Sequence, residues 1–184
     1  AIFTRLPNDV VGWRGIEIIE ALNNLQWSVI IFIVEYKCFS ILPVGEVLNL
    51  LVELELLGAS VLETDEERAM VQKIIDYLIA LEYWQDPDNG IWEENMELHA
   101  SSIGSVVAAL KKAKQLPWLH VSEDAIELGE QALRQLLPRE SETKFADLAL
   151  LSLIYPFKVT TEAETLEILR NVEYHLTKDR GVIR

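Results

Sequence analysis

Thr64-Asp-Glu-Glu-Arg-Ala-Met-Val-Gln-Lys-Ile-Ile-Asp-Tyr-Leu-Ile79 reads as one amphipathic helix, and its grammar recurs along the chain. Thr64 and Glu67 have the spacing of a capping box, in which each side chain satisfies the other's backbone N–H. The acidic run Glu63-Thr-Asp-Glu-Glu67 suits a solvated first turn, where the helix dipole favours negative charge. Val71, Ile74, Ile75, Leu78 and Ile79 then repeat at helical spacing and make one apolar face. Upstream, Val44, Val47, Leu48, Leu51 and Leu54 form such a stripe, with Pro43 at its start and Gly58 at its stop. Downstream, Ile103, Val106, Val107 and Leu110 mark a helix ending before Pro117. Ser122 caps another through Ile126, Gly129, Leu133, Leu136 and Leu137, closed by Pro138. Phe145 to Ile154 is nearly all apolar and reads as a helix buried on most sides, stopped by Pro156. Thr161 and Glu164 form a second capping box, for a helix with Leu166, Leu169, Val172 and Leu176.

The segment Trp27–Ile41 reads two ways. Its β-branched and aromatic content favours strand locally, yet no hairpin partner or Gly-rich turn flanks it. Its length and the helices downstream make a buried helix the expectation. About seven helices joined antiparallel by loops, alternately exposed and buried, fit helical hairpins stacked around a common axis. No low-complexity linker divides residues 1–184, so one helical domain is expected. The absence of a short exact repeat disfavours a regular solenoid.

At 184 residues and 21.0 kDa, half hydrophobic, the chain can bury a real core, and disorder is not expected. Its 30 acidic and 16 basic side chains give a net charge of −14. Such a surface repels phosphate backbones and anionic lipid, which argues against nucleic-acid and membrane partners. A neutral oligosaccharide is indifferent to that field. One cysteine, Cys38, excludes an internal disulfide and a cysteine zinc cluster, and its apolar surroundings suggest a core thiol. Ala1-Ile-Phe-Thr-Arg-Leu-Pro7 lacks the form of a signal peptide, so a cytoplasmic location is expected. The apolar run Trp27–Val34 is eight residues long, too short to span a bilayer.

The chemistry-bearing stretch is Gly90-Ile-Trp-Glu-Glu94, reached through the turn Pro87-Asp-Asn-Gly90 and followed by the helix that opens at His99. An aromatic beside two carboxylates, on a loop feeding a helix, is how a carbohydrate site can be built. The sugar's C–H face stacks on the indole, its hydroxyls bond to carboxylates, and a carboxylic acid protonates the glycosidic oxygen. The same triplet also occurs as a packed aromatic beside two solvated acids. His99 either bonds sugar hydroxyls or satisfies backbone groups and solvent at the helix start. Tyr83 and Trp84 either wall a sugar funnel or pack in the core, where aromatics bury large area. Ser101-Ser102 has no His or Asp at a spacing that would make a nucleophile, and helix capping is the better account. His120 and His175 have no partner at metal-ligand spacing, and no loop has the oxygen pattern of a calcium site. No metal and no cofactor are expected.

From Tyr83 to Arg184 the chain resembles glycoside hydrolase family 15, the glucoamylase-like proteins, and their relative the regulatory subunit of phosphorylase kinase. The matching features are Tyr83-Trp-Gln-Asp86, Asp88-Asn-Gly-Ile-Trp-Glu-Glu94 and His99-Ala-Ser-Ser102. Asp147-Leu-Ala-Leu-Leu-Ser-Leu-Ile-Tyr-Pro156 is similar to the family's buried leucine-rich helix. Glu173–Arg184, with His175-Leu-Thr177 and Gly181-Val-Ile-Arg184, is similar to the segment ahead of its last catalytic region. The likeness is faint from about Gln26 to Glu82, and residues 1–25 match nothing.

The resemblance implies an (α/α)₆ barrel around a funnel, with Glu93 as general acid and Trp92 and Glu94 lining subsites beside the bond cleaved. Family 15 inverts configuration, so a second carboxylate activates water across the sugar, roughly 6.5–9.5 Å from the acid. Glu93 would need a raised pKa, which burial against Trp92 or the charge of Glu94 could supply. The family's general base lies beyond the Gly-Val-Ile-Arg segment, where this chain stops. Its Trp-x-Arg-Asp motif is absent, and no acidic residue stands at Asn23-Asn-Leu-Gln26. Glu94 adjoins the acid and Asp147 reads as a helix cap or packing residue, so neither serves as base. Seven helices are about half of such a barrel, which implies a piece of a longer catalytic domain whose exposed inner helices self-associate.

Three functional readings follow. One is part of an inverting α-glucan hydrolase acting on α-glucan oligosaccharides or polysaccharides. The second is a non-catalytic glucan-binding or regulatory module related to the kinase subunit. The third is a structural helical domain in which Trp92 faces no cavity.

Overall fold

The computed structural model describes residues 41–92 and 95–183. Among them the chain is all-α, as expected. The helices are α1 (Ile41–Leu56), α2 (Asp65–Ala80), α3 (Ala100–Ala113), α4 (Glu123–Leu136), the single turn α5 (Leu151–Ile154) and α6 (Glu162–Leu176). A 3-10 turn, Leu148–Leu150, leads into α5. A two-residue ribbon, β1 (Thr177–Lys178) and β2 (Gly181–Val182), follows α6 and pairs antiparallel, Thr177 with Val182 and Lys178 with Gly181. The expected buried helix over Trp27–Ile41 and the core thiol Cys38 lie outside the described residues, apart from Ile41 in α1. No described helix is long and apolar enough to cross a membrane.

Local chemistry sets the helix ends. Both expected capping boxes form. Thr64 accepts from Glu67 N while the Glu67 carboxylate receives Thr64 N, and Thr161 and Glu164 repeat the arrangement. Ser122 accepts from Ala125 N at the start of α4. At the end of α1, Gly58 adopts φ +78°, and the Gly58 and Ala59 N–H groups return to the Glu55 and Leu54 carbonyls. A side chain disfavours that left-handed backbone, so glycine suits the position.

The helices fall into two burial classes. Every residue of α3 from Ala100 to Leu110 is buried, so this helix has no solvent face over three turns. Its Ala, Ser and Gly content lets neighbours approach closely. A Cβ on Gly45 of α1 would run into the Ser105 side chain and lie 3.0 Å from Val106 N. In contrast, α2, α4 and α6 each bury one stripe: Val71, Ile74, Ile75 and Leu78; Ala125, Ile126, Gly129 and Leu133; Ile168, Val172 and Leu176. α1 and α4 pack on α3, α5 touches α3, α2 touches α1, and α6 touches α5. This alternation of enclosed and one-sided helices is compatible with an (α/α) toroid. The core it makes includes Leu48, Ile75, Leu110, Leu150, Leu153 and Ile168, all fully buried. Each such side chain contributes roughly 1.5–3 kcal/mol by leaving water.

Two elements depart from the periodicity. The apolar run Phe145–Ile154 is not a helix throughout. Phe145 is exposed, and regular structure begins only at Leu148, because the Asp147 carboxylate accepts Ala149 N and starts the 3-10 turn there. On α6 the buried stripe is Ile168, Val172 and Leu176, while Leu166 and Leu169 are exposed. One helix of period 3.6 carries more apolar residues than its neighbour covers, and only tertiary contact selects among them.

Candidate functional site

The loop between α2 and α3 is closed at its base by an isolated antiparallel bridge between Asp88 and Glu97. Asp88 N donates to Glu97 O at 2.9 Å and Glu97 N to Asp88 O at 3.0 Å. Within it the Asp88 side chain accepts Gly90 N at 3.0 Å, the local turn expected of Asp-Asn-Gly. Gly90 takes φ +63°, and a Cβ there would lie 2.7 Å from the His99 ring. Glycine is therefore required twice, for its backbone and for the space.

His99 stands at the N-cap of α3, where its carbonyl accepts Ile103 N at 3.1 Å but its side chain makes no cap bond. Its Nδ1 lies 3.0 Å from Asp88 Oδ1, with both side chains buried. Burial opposes the charged imidazole. The Asp88 hydrogen bond and charge, helped by Glu140 and Glu97, outweigh it and raise the His99 pKa. The His99–Asp88 pair was not legible, since the two residues are separated by the whole loop.

The facing wall comes from the segment between α4 and the 3-10 turn. Glu140 is 2% exposed. Its carboxylate accepts Ser101 Oγ at 2.5 Å and lies 3.3 Å from Ser101 N, while its carbonyl accepts Ala100 N at 2.7 Å. The capping expected of Ser101-Ser102 is thus absent: Ser101 Oγ bonds Glu140, Ser102 Oγ has no partner among the described residues, and Glu140 supplies acceptors for the first turn of α3. Burial pushes the Glu140 carboxyl up to about 7, against the pull of Ser101 and His99. Glu97 is held down, to about 2, chiefly by Thr143, which donates from Oγ1 at 2.6 Å and from N at 2.9 Å.

Asp147 is fully buried and anchors the aromatic of the site. The Trp92 indole Nε1 donates to its Oδ1 at 2.7 Å, Ala149 N to the same oxygen at 2.8 Å, and Lys144 Nζ to Oδ2 at 3.1 Å. Burial raises the carboxyl, but these donors together lower its pKa. Of the two sequence readings of Asp147, cap or packing residue, the structure shows a cap, on the 3-10 turn. That it also holds Trp92 across 55 residues could not be read.

Trp92 and His99 therefore line one cleft, with Asn89, Gly90, Glu140, Lys144 and Asp147. The described walls enclose about 10 Å³, the scale of one water molecule rather than a sugar ring. Trp92 is 37% exposed. Glu93 and Glu94, the expected acid and subsite residue, lie outside the described residues. Tyr83 and Trp84 do not line this cleft. Tyr83 is fully buried, donates from its hydroxyl to Ala125 O at 2.9 Å, and meets Trp84 edge to face with centroids 5.3 Å apart. Among the described residues no group of three or more His, Cys, Asp or Glu is placed to hold a metal ion. The sequence reading missed Glu140 and Asp88. Their only sequence signal is polarity beside Pro and Gly, which any surface turn shares.

Residues 43–134 match the family model of glycosyl hydrolases family 15. The chain is similar to the probable phosphorylase b kinase regulatory subunit alpha of Caenorhabditis elegans, 36% identical over 117 residues, which cover 54% of this chain and 9% of that protein. The skeletal muscle alpha subunit of Oryctolagus cuniculus is 29% identical over 131 residues, 61% of this chain and 10% of that protein. The probable beta subunit of Drosophila melanogaster is 30% identical over 135 residues, 64% of this chain and 12% of that protein. The matched region is thus about a tenth of the length of these relatives.

Proposed function

Because the chain belongs to glycosyl hydrolases family 15, we propose that it is a non-catalytic glucan-binding or regulatory module. The observation that carries this reading is the anchored indole. Asp147 fixes the Trp92 N–H at 2.7 Å, so a ring of known orientation stands at the mouth of a polar cleft. A rigid aromatic platform beside hydrogen-bonding groups suits the C–H face and hydroxyls of a pyranose. The kinase regulatory subunits among its relatives support regulation over hydrolysis.

The carboxylates of this cleft also favour binding. Asp147 is held ionised by three donors, and Glu140 is committed to Ser101. The enzymatic reading, an inverting α-glucan hydrolase with Glu93 as acid and Trp92 and Glu94 at the subsites, draws on the family itself. It requires a base carboxylate outside the described cleft.

Calorimetric binding of maltohexaose, run beside an assay of glucose release, separates the two. The expected result is binding that weakens on the order of tenfold or more in Trp92→Ala, with no glucose released. Release of glucose that disappears in Glu93→Gln would replace the module with the hydrolase. Absence of both binding and release would remove the glucan from the proposal.

A further inference from the structure

The segment between α4 and the 3-10 turn is tied at three points to the chain leading into α3. Thr143 donates twice to Glu97, Glu140 receives Ser101 and Ala100, and Asp147 receives Trp92. The middle tie differs from the other two. Thr143–Glu97 is at the surface, and Asp147 is steadied by its own bonds to Ala149 N and Lys144. Glu140 alone reaches the helix, and α3 has no side-chain cap of its own. The first N–H groups of a buried helix must find acceptors, and both the carbonyl and the carboxyl of Glu140 meet that need. Glu140 also lines the cleft, together with His99 and Asp147.

We propose that Glu140 is the positioning residue of this cleft: by capping α3 across sequence it sets the spacing between His99 at the head of that helix and Asp147 on the facing wall, which holds Trp92. The consequence for sugar affinity rests on the glucan-binding reading above, whereas the geometric role does not. The charged groups around Glu140 are His99 at the head of α3 and Lys144 and Asp147 on its own segment, while Asp88 and Glu97 act on the same His99. With burial pushing it up to about 7, its charge changes near neutrality. Ionised, it is a buried carboxylate repelled by Asp147, and the grip on Ser101 then works against that repulsion.

The test uses the full chain with Glu140→Ala and Glu140→Gln. Because there are five tryptophans, the emission of Trp92 is taken as the difference between each protein and its Trp92→Phe counterpart. At pH 5.5, Glu140→Ala is expected to shift the Trp92 emission to the red and to weaken maltohexaose on the order of tenfold. Glu140→Gln keeps the acceptor for Ser101 and retains both properties. Between pH 5.5 and 8.5 the wild-type emission shifts and its affinity falls, while Glu140→Gln shows a smaller change in each. His99 titrates in both proteins, so the difference between their profiles belongs to Glu140. An Ala variant with the wild-type Trp92 spectrum, or a Gln variant with the wild-type pH profile, overturns the proposal. If Glu140→Ala fails to fold, the Gln profile decides alone. A spectral response without maltohexaose binding upholds the positioning role and sinks only the glucan reading. Binding without any spectral response does the reverse.

Discussion

Two adjacent serines in the first turn of α3 show how differently burial can be resolved. Ser101 Oγ is matched by Glu140, whereas Ser102 Oγ, next along α3, is buried with no hydrogen-bond partner among the described residues. An unsatisfied buried hydroxyl costs roughly 1–3 kcal/mol. Ser102→Ala is therefore expected to raise the unfolding free energy by about 1 kcal/mol, read from the urea midpoint. A loss of similar size would show that the hydroxyl has a partner after all. Ser101→Ala has the opposite sign, since it strands Glu140 without its best donor.

At the scale of elements, some helices begin on their own residues and α3 begins on someone else's. Thr64 and Thr161 each close a capping box within four residues of chain, so Thr64→Ala should cost about 1 kcal/mol and act locally on α2. Helix content and melting temperature would show it, and an unchanged melt would mean that packing alone fixes that end. Gly129 of α4 poses a sharper test. Helix propensity alone favours alanine there by about 1 kcal/mol. Yet a Cβ would strike the Tyr83 hydroxyl and lie 2.7 Å from Tyr83 Cζ and 2.8 Å from Val107 Cγ2. Overpacking of this kind costs roughly 1–3 kcal/mol, so Gly129→Ala is expected to destabilise. A gain in stability would mean that Tyr83 gives way.

For the molecule as a whole, the titrating groups of the cleft predict a stability optimum on the acid side of neutrality. Glu140, raised to about 7 from an ordinary 4.5, holds a proton that the unfolded chain releases. Its contribution is complete below 4.5 and is lost as pH rises through about 7. His99, also raised, adds a contribution complete below 6.5 and lost as pH climbs past it. Glu97 works the other way: held at about 2, it stabilises above 4.5 and fades as pH falls toward 2. Asp147, lowered from 3.8, fades with it. The melting temperature should therefore peak between roughly pH 4.5 and 6.5. The net charge of −14 adds self-repulsion on the alkaline side, so Glu140→Gln is the control, and it should flatten that limb. A melting temperature still rising at pH 8 would contradict this account.

The all-α class, the positions of α1, α2, α3, α4 and α6 and the caps of α2, α4 and α6 were legible in the sequence, because period 3.6, capping residues and Gly or Pro stops are local and act within a few residues. The Gly90-Ile-Trp segment was legible as a turn and an aromatic ahead of a helix for the same reason, since the three are contiguous. What only the tertiary structure decided are contacts made across the chain. Asp147 grips Trp92, Glu140 caps α3, and Ile168 rather than Leu166 or Leu169 faces the core. No periodicity encodes these choices. They arise because a buried N–H or carboxylate takes whichever partner the packed helices bring within 3 Å, however distant it is in sequence.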